Sequence, residues 1–92
     1  MQETFGIAAF RSRQQVLLLE SALKREGLSV NVITTPRDVA LGCGLSVRFH
    51  MDDLARVEQI IHVQKPTHLV GIYQVDRIGA GRPRLSPIAI YR

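Results

Sequence analysis

The sequence has one cysteine, no tryptophan and only five aromatic residues in 92 positions. A single thiol, Cys43, excludes an internal disulfide and any zinc site built from paired cysteines of one chain. No apolar run approaches the roughly 18 residues that a membrane span needs. The opening Met1-Gln2-Glu3-Thr4 lacks the basic start and long apolar stretch of a secretory signal. The expected setting is therefore the reducing cytoplasm, away from membranes. His50, His62 and His68 follow no metal-ligand spacing, so surface or structural roles are expected for them, with no metal and no other cofactor.

Acidic residues are also scarce. Eight Asp and Glu face twelve Lys and Arg, a formal net charge of +4. Residues 1–75 hold eight basic and seven acidic side chains, a net of +1, whereas residues 76–92 hold Arg77, Arg82, Arg84 and Arg92 against Asp76, a net of +3. The chain is a near-neutral body with a basic tail, and its pI near 10 describes the tail more than the body. A basic protein invites a nucleic-acid reading. Phe5, Phe49 and Tyr73 look committed to strands, however, which leaves little to stack on bases, and nucleic acid is an improbable partner.

What remains is a body of ordinary apolar content, large enough for one modest core. Thr4 to Phe10 reads as a first strand. Ser12 and Gln15 stand at capping-box spacing before a helix from about Arg13 to Glu26, with Val16, Leu19, Leu23 and their neighbours Leu17, Leu18 and Ala22 as its apolar face. Gly27 ends that helix. Val30 to Thr34 is β-branched and reads as a second strand. Leu45, Val47 and Phe49 alternate with Ser46 and Arg48 in a third. Asp52 and Asp53 suit the start of a second helix carrying Leu54, Val57, Ile60 and Ile61, closed by Pro66. Leu69 to Val75 is a fourth strand. The order β-α-β-β-α-β predicts an α+β, ferredoxin-like domain over residues 1–75, a four-stranded antiparallel sheet with both helices on one face. Alternation from Ile7 or Leu45 as core residues puts Gly6, Ala8, Phe10, Ser46 and Arg48 on the open face. That small-residue surface suits packing against a second copy in a homodimer. The segment 76–92 is a Gly/Pro/Arg tail, either a flexible end or an added edge strand.

The chemistry centres on Cys43. Gly42 and Gly44 on either side remove side-chain cover and let backbone N–H groups approach an anion. The thiolate is the form that attacks sulfur or selenium, and nearby cations favour it. Arg37 enters the loop and Arg48 leaves it, so either is a candidate to stabilise the thiolate. The alternative is that Cys43 is a small buried hydrophobe beside a tight turn, in a non-catalytic dimeric binding or regulatory module.

Pro36-Arg37, then Cys43-Gly44-Leu45, then Arg48-Phe49 and an Asp-rich helix start resemble the selenium/sulfur carrier protein-like family, over roughly residues 4–75. The resemblance implies a ferredoxin-like fold and a Cys43 that accepts sulfur or selenium as a persulfide or selenyl sulfide. It also implies donor and acceptor proteins as partners, and so a carrier or accessory protein rather than a self-sufficient enzyme. The tail after Val75 exceeds the usual family end and takes no role from the resemblance.

Overall fold

The computed structural model describes residues 2–36, 44–79 and 81–90. The elements run β1 (Gln2–Phe10), α1 (Arg13–Arg25), β2 (Asn31–Thr34), β3 (Leu45–Phe49), a single 3-10 turn (Met51–Asp53), α2 (Leu54–Gln64), β4 (Leu69–Ile78) and β5 (Arg84–Ile90). The strands form one sheet in the order β2-β3-β1-β4-β5, and every neighbouring pair is antiparallel. The expectation of four strands is thereby corrected to five. Arg84–Ile90 pairs with the outer side of β4, which itself runs on to Ile78. Of the two readings of the tail, flexible end or added edge strand, the edge strand is the one formed, and Pro87 is compatible with it. A proline lacks the N–H that a central strand needs, but an edge strand has one side without a partner.

Both helices pack on one face. Val16, Leu19 and Leu23 of α1 and Val57, Ile60 and Ile61 of α2 form one buried cluster with Ala8 and Phe10 of β1, Val47 and Phe49 of β3, and Ile72 of β4. In α1, Ser12 takes the extended N-cap conformation but makes no side-chain capping bond, so the expected capping box is not formed. Three consecutive leucines cannot all face inward on a helix that turns 100° per residue. Leu19 is buried, whereas Leu17 and Leu18 are exposed. Gly27, at φ +86, follows the C-cap of α1. Lys65 at φ 48 is the left-handed C-cap of α2, just before Pro66.

The far face is not the small-residue surface expected. Phe5, Ile7 and Val75 form a second buried cluster there, with Ile33, Tyr73 and Leu85 packed against it. Ala8 and Phe10 belong to the helix side. So does Gly6, because the ring of Phe49 fills the space where a Cβ at Gly6 would stand. Of the five residues expected on the open face, Ser46 and Arg48 lie there. The reason is that β1 is a central strand buried on both sides. Phe5, Ile7, Ala8, Ala9 and Phe10 are all at most 2% exposed. A strand apolar on both faces has no polar residue to reveal its alternation.

Candidate functional site

Cys43, Gly42 and Arg37 lie outside the described residues. The structure does define the framework from which their loop springs. Strands β2 and β3 pair from Asn31↔Arg48 to Thr34↔Leu45. Beyond that last pair the Thr35 N–H donates to the Gly44 carbonyl at 2.9 Å. The hydroxyls of Thr35 and Ser46 meet at 2.6 Å, which satisfies the fully buried Ser46. The hairpin is thus closed by a backbone bond and a side-chain bond at its neck, immediately next to the cysteine in sequence. Gly44 has φ +88, a backbone region that favours glycine, and a Cβ built on it would meet nothing within 4 Å. Glycine is required there by the backbone angle, not by crowding.

The sheet register identifies what shares this end of the molecule. Ala9 pairs with Ser46, so the C-terminal end of β1 lies beside the start of β3. Phe10 pairs with Leu69, and the Arg11 N–H donates to the His68 carbonyl at 2.7 Å. Gly44, Arg11 and His68 therefore stand in one row across the sheet end. Arg13 opens α1 two residues later. The Arg11 and Arg13 side chains are exposed. Neither arginine stood out in the sequence, because only the crossing of β1 between β3 and β4 brings them to the cysteine-bearing end.

Arg48 is placed differently. It pairs with Ile7 on one side and Asn31 on the other. Its guanidinium lies 3.9 Å from the centre of the Phe5 ring and 3.3 Å from the Glu3 carboxylate. Arg77 stands 5.6 Å from the same ring. Glu3 and Phe5 lie toward the N-terminal end of β1, so Arg48 leans along the sheet away from Gly44. Four residue steps along the strand separate the two, a span of about 13 Å.

The histidines divide between the two ends. His50 follows β3 at the far end from Gly44. His62 and His68 line one groove of about 660 Å³ with Glu58 and Lys65 beneath the C-terminal turn of α2. His68 has φ 65, and its Nδ1 lies 2.9 Å from the Thr67 hydroxyl. Among the described residues no three His, Cys, Asp or Glu side chains gather as a metal site. No described helix is long and apolar enough to cross a membrane.

Searches of curated proteins and of solved structures each give no significant match. A family model does match. It carries the description "Putative Se/S carrier protein-like" and covers residues 5–74, which is 70 of the 92 residues. The match begins inside β1, takes in both helices and Cys43, and ends inside β4. It leaves β5 outside. The chain belongs to the putative selenium/sulfur carrier protein-like family.

Proposed function

We propose that this protein is a carrier that accepts sulfur or selenium on Cys43 and passes it to a partner protein in the reducing cytoplasm. The single observation that carries this reading is the family match, which spans the Pro36-Arg37 to Cys43-Gly44-Leu45 segment. The pinned hairpin neck supports it, since it fixes the chain at Gly44 next to the thiol. The step conserves atoms and electrons. The Cys43 thiolate attacks the outer sulfur of a donor persulfide, R–S–SH. The donor S–S bond breaks, R–S⁻ leaves, and Cys43–S–SH forms. A nucleophile on the acceptor then attacks that outer sulfur and releases the Cys43 thiolate. A selenyl sulfide follows the same course with selenium as the transferred atom. No base is required once the thiol is ionised. Gly42 and Gly44 offer N–H groups to the anion and Arg37 favours it electrostatically, whereas the Arg48 guanidinium is held by Phe5 and Glu3 and leans away from Gly44.

Incubation with a small-molecule persulfide followed by intact-mass measurement tests this. The wild-type chain is expected to gain one sulfur, removable by a thiol reductant, and Cys43→Ser to gain none. Equal gain by both chains, or none by either, defeats the reading.

The same reading takes β1 to β4 as a ferredoxin-like unit with β5 appended. Its support is the interlocked order in which β3 lies between β1 and β2, and β1 between β3 and β4. It also includes self-association through the open face. The half-buried Ile33, Tyr73 and Leu85 supply the apolar area there. Sedimentation should then report a dimer for the wild-type chain and a monomer for Tyr73→Asp. A wild-type monomer at high protein concentration removes the dimer and leaves the Cys43 chemistry untouched.

A further inference from the structure

The helical layer carries a feature that the carrier reading does not use. α1 and α2 lie side by side, and the furrow between them holds two adjoining cavities of about 430 and 270 Å³. They share Ala22, Arg25 and Gln64. The rim is apolar on both sides. Leu18 on α1 is 54% exposed and Val63 on α2 is 70% exposed. Single exposed aliphatics are ordinary on a surface. One in each of two adjoining cavities, Leu18 with Leu19 in the smaller and Val63 with Ile60 in the larger, makes the furrow suited to apolar side chains.

The net charge around the furrow is positive. Arg56 and Glu26 pair with each other at 3.2 Å. That leaves Arg25 and Lys65, both exposed, and among the described residues neither makes an ion pair. An occupant must bring apolar side chains for Leu18 and Val63 and carboxylates for Arg25 and Lys65. A second copy docked groove to groove would bring a surface of the same net positive charge rather than a complementary one. The smaller cavity reaches Gln15 and Thr67, beside the first turn of α1, at the end of the molecule that also bears Gly44.

We infer that the α1–α2 groove is the docking surface for an acidic amphipathic helical segment of a partner protein. Under the carrier reading that partner is the sulfur donor or acceptor, held with its body toward the Gly44 end of the sheet. The groove itself stands on geometry and charge alone. A fluorescent synthetic peptide of about five helical turns (~18 residues), with leucine along one face and glutamate elsewhere, is the probe. Fluorescence anisotropy at low salt with the full chain is the readout. Saturable binding is expected, at least about tenfold tighter than for the same peptide with lysine in place of glutamate. It should weaken by about tenfold or more in the double variant Arg25→Glu/Lys65→Glu, and again in Val63→Asp. All three positions are exposed, so the variants should keep the wild-type circular dichroism. No saturable binding, equal binding of the acidic and basic peptides, or binding unchanged in the double variant overturns the proposal. A chain dimer abolished by Val63→Asp also overturns it, in favour of a second copy as occupant. Persulfide loading of Cys43 needs no partner protein, so failure here and failure of the carrier reading are read separately.

Discussion

Phe49→Ala should remove about 3–5 kcal/mol of stability, as expected for deleting a buried aromatic ring. Small domains commonly have only about 5–15 kcal/mol in total, and a core this size belongs at the low end. The urea midpoint should accordingly fall by about a third or more, since midpoint scales with stability at constant slope. The size of the effect has a local cause. Phe49 is 1% exposed, and its ring covers Gly6 on the neighbouring strand where any other residue would place a Cβ. Gly6→Ala should therefore cost about 1–3 kcal/mol by overpacking. That cost should shrink in a Phe49→Ala background, because the ring the new methyl strikes is gone. A double-mutant cycle read by urea unfolding is expected to give a coupling of about 1 kcal/mol or more. Additive losses would mean that the ring moves aside freely and that Gly6 is not kept for its space.

This pair also marks where the sequence stops being readable. Leu45–Phe49 alternates, with polar residues at Ser46 and Arg48, and the strand, its limits and its facing were all legible. β1 was legible as a strand, but not in its facing, because its buried residues are apolar on both sides. The contact between Gly6 and Phe49 joins residues 43 apart and depends on the β1–β3 register, which no local pattern encodes. Helix α1 was legible in its limits to one residue at its C-terminal end. The Leu17-Leu18-Leu19 run hid which leucine was core and which two were surface. The interhelical groove, with Leu18 on its rim, was invisible for that reason. At the candidate site the family motif was legible because Pro36-Arg37 and Cys43-Gly44-Leu45 lie close together in sequence. The neighbours of that sheet end were not. Arg11, His68 and the Thr35–Ser46 bond come together only through strand order.

A chain ending at Gly79 should be markedly less stable, although the family match ends at residue 74 and does not need β5. The loss is of two kinds. β4 would give up its ladder from Gly71↔Ile90 to Asp76↔Arg84 and become an edge. Leu85 would leave the far-face cluster of Phe5, Ile7 and Val75, while Ile88 and Ala89 would leave the helix-side core. Full burial of a Leu or Ile side chain is worth about 1.5–3 kcal/mol, so losing the half-buried Leu85 and Ile88 with their strand should cost on the order of 2–4 kcal/mol. Urea unfolding measures that loss, and amide exchange locates it, with faster exchange expected in β4 between Gly71 and Val75. The newly exposed edge and apolar cluster should also promote association at high protein concentration. Gly71→Ala probes the same seam without truncation. A Cβ there would stand 2.7 Å from the Ala89 carbonyl oxygen, a backbone atom that cannot turn away. β5 must then shift or detach, and exchange should quicken on the β4–β5 side while the β1–β3 ladder stays protected. If truncation and Gly71→Ala both leave the unfolding midpoint and the β4 amides unchanged, β5 is an attachment without energetic weight. The domain would then end where the family match does. If both move them together, the seventeen residues after Val75 include a structural strand, and its Arg84 is set along a sheet edge.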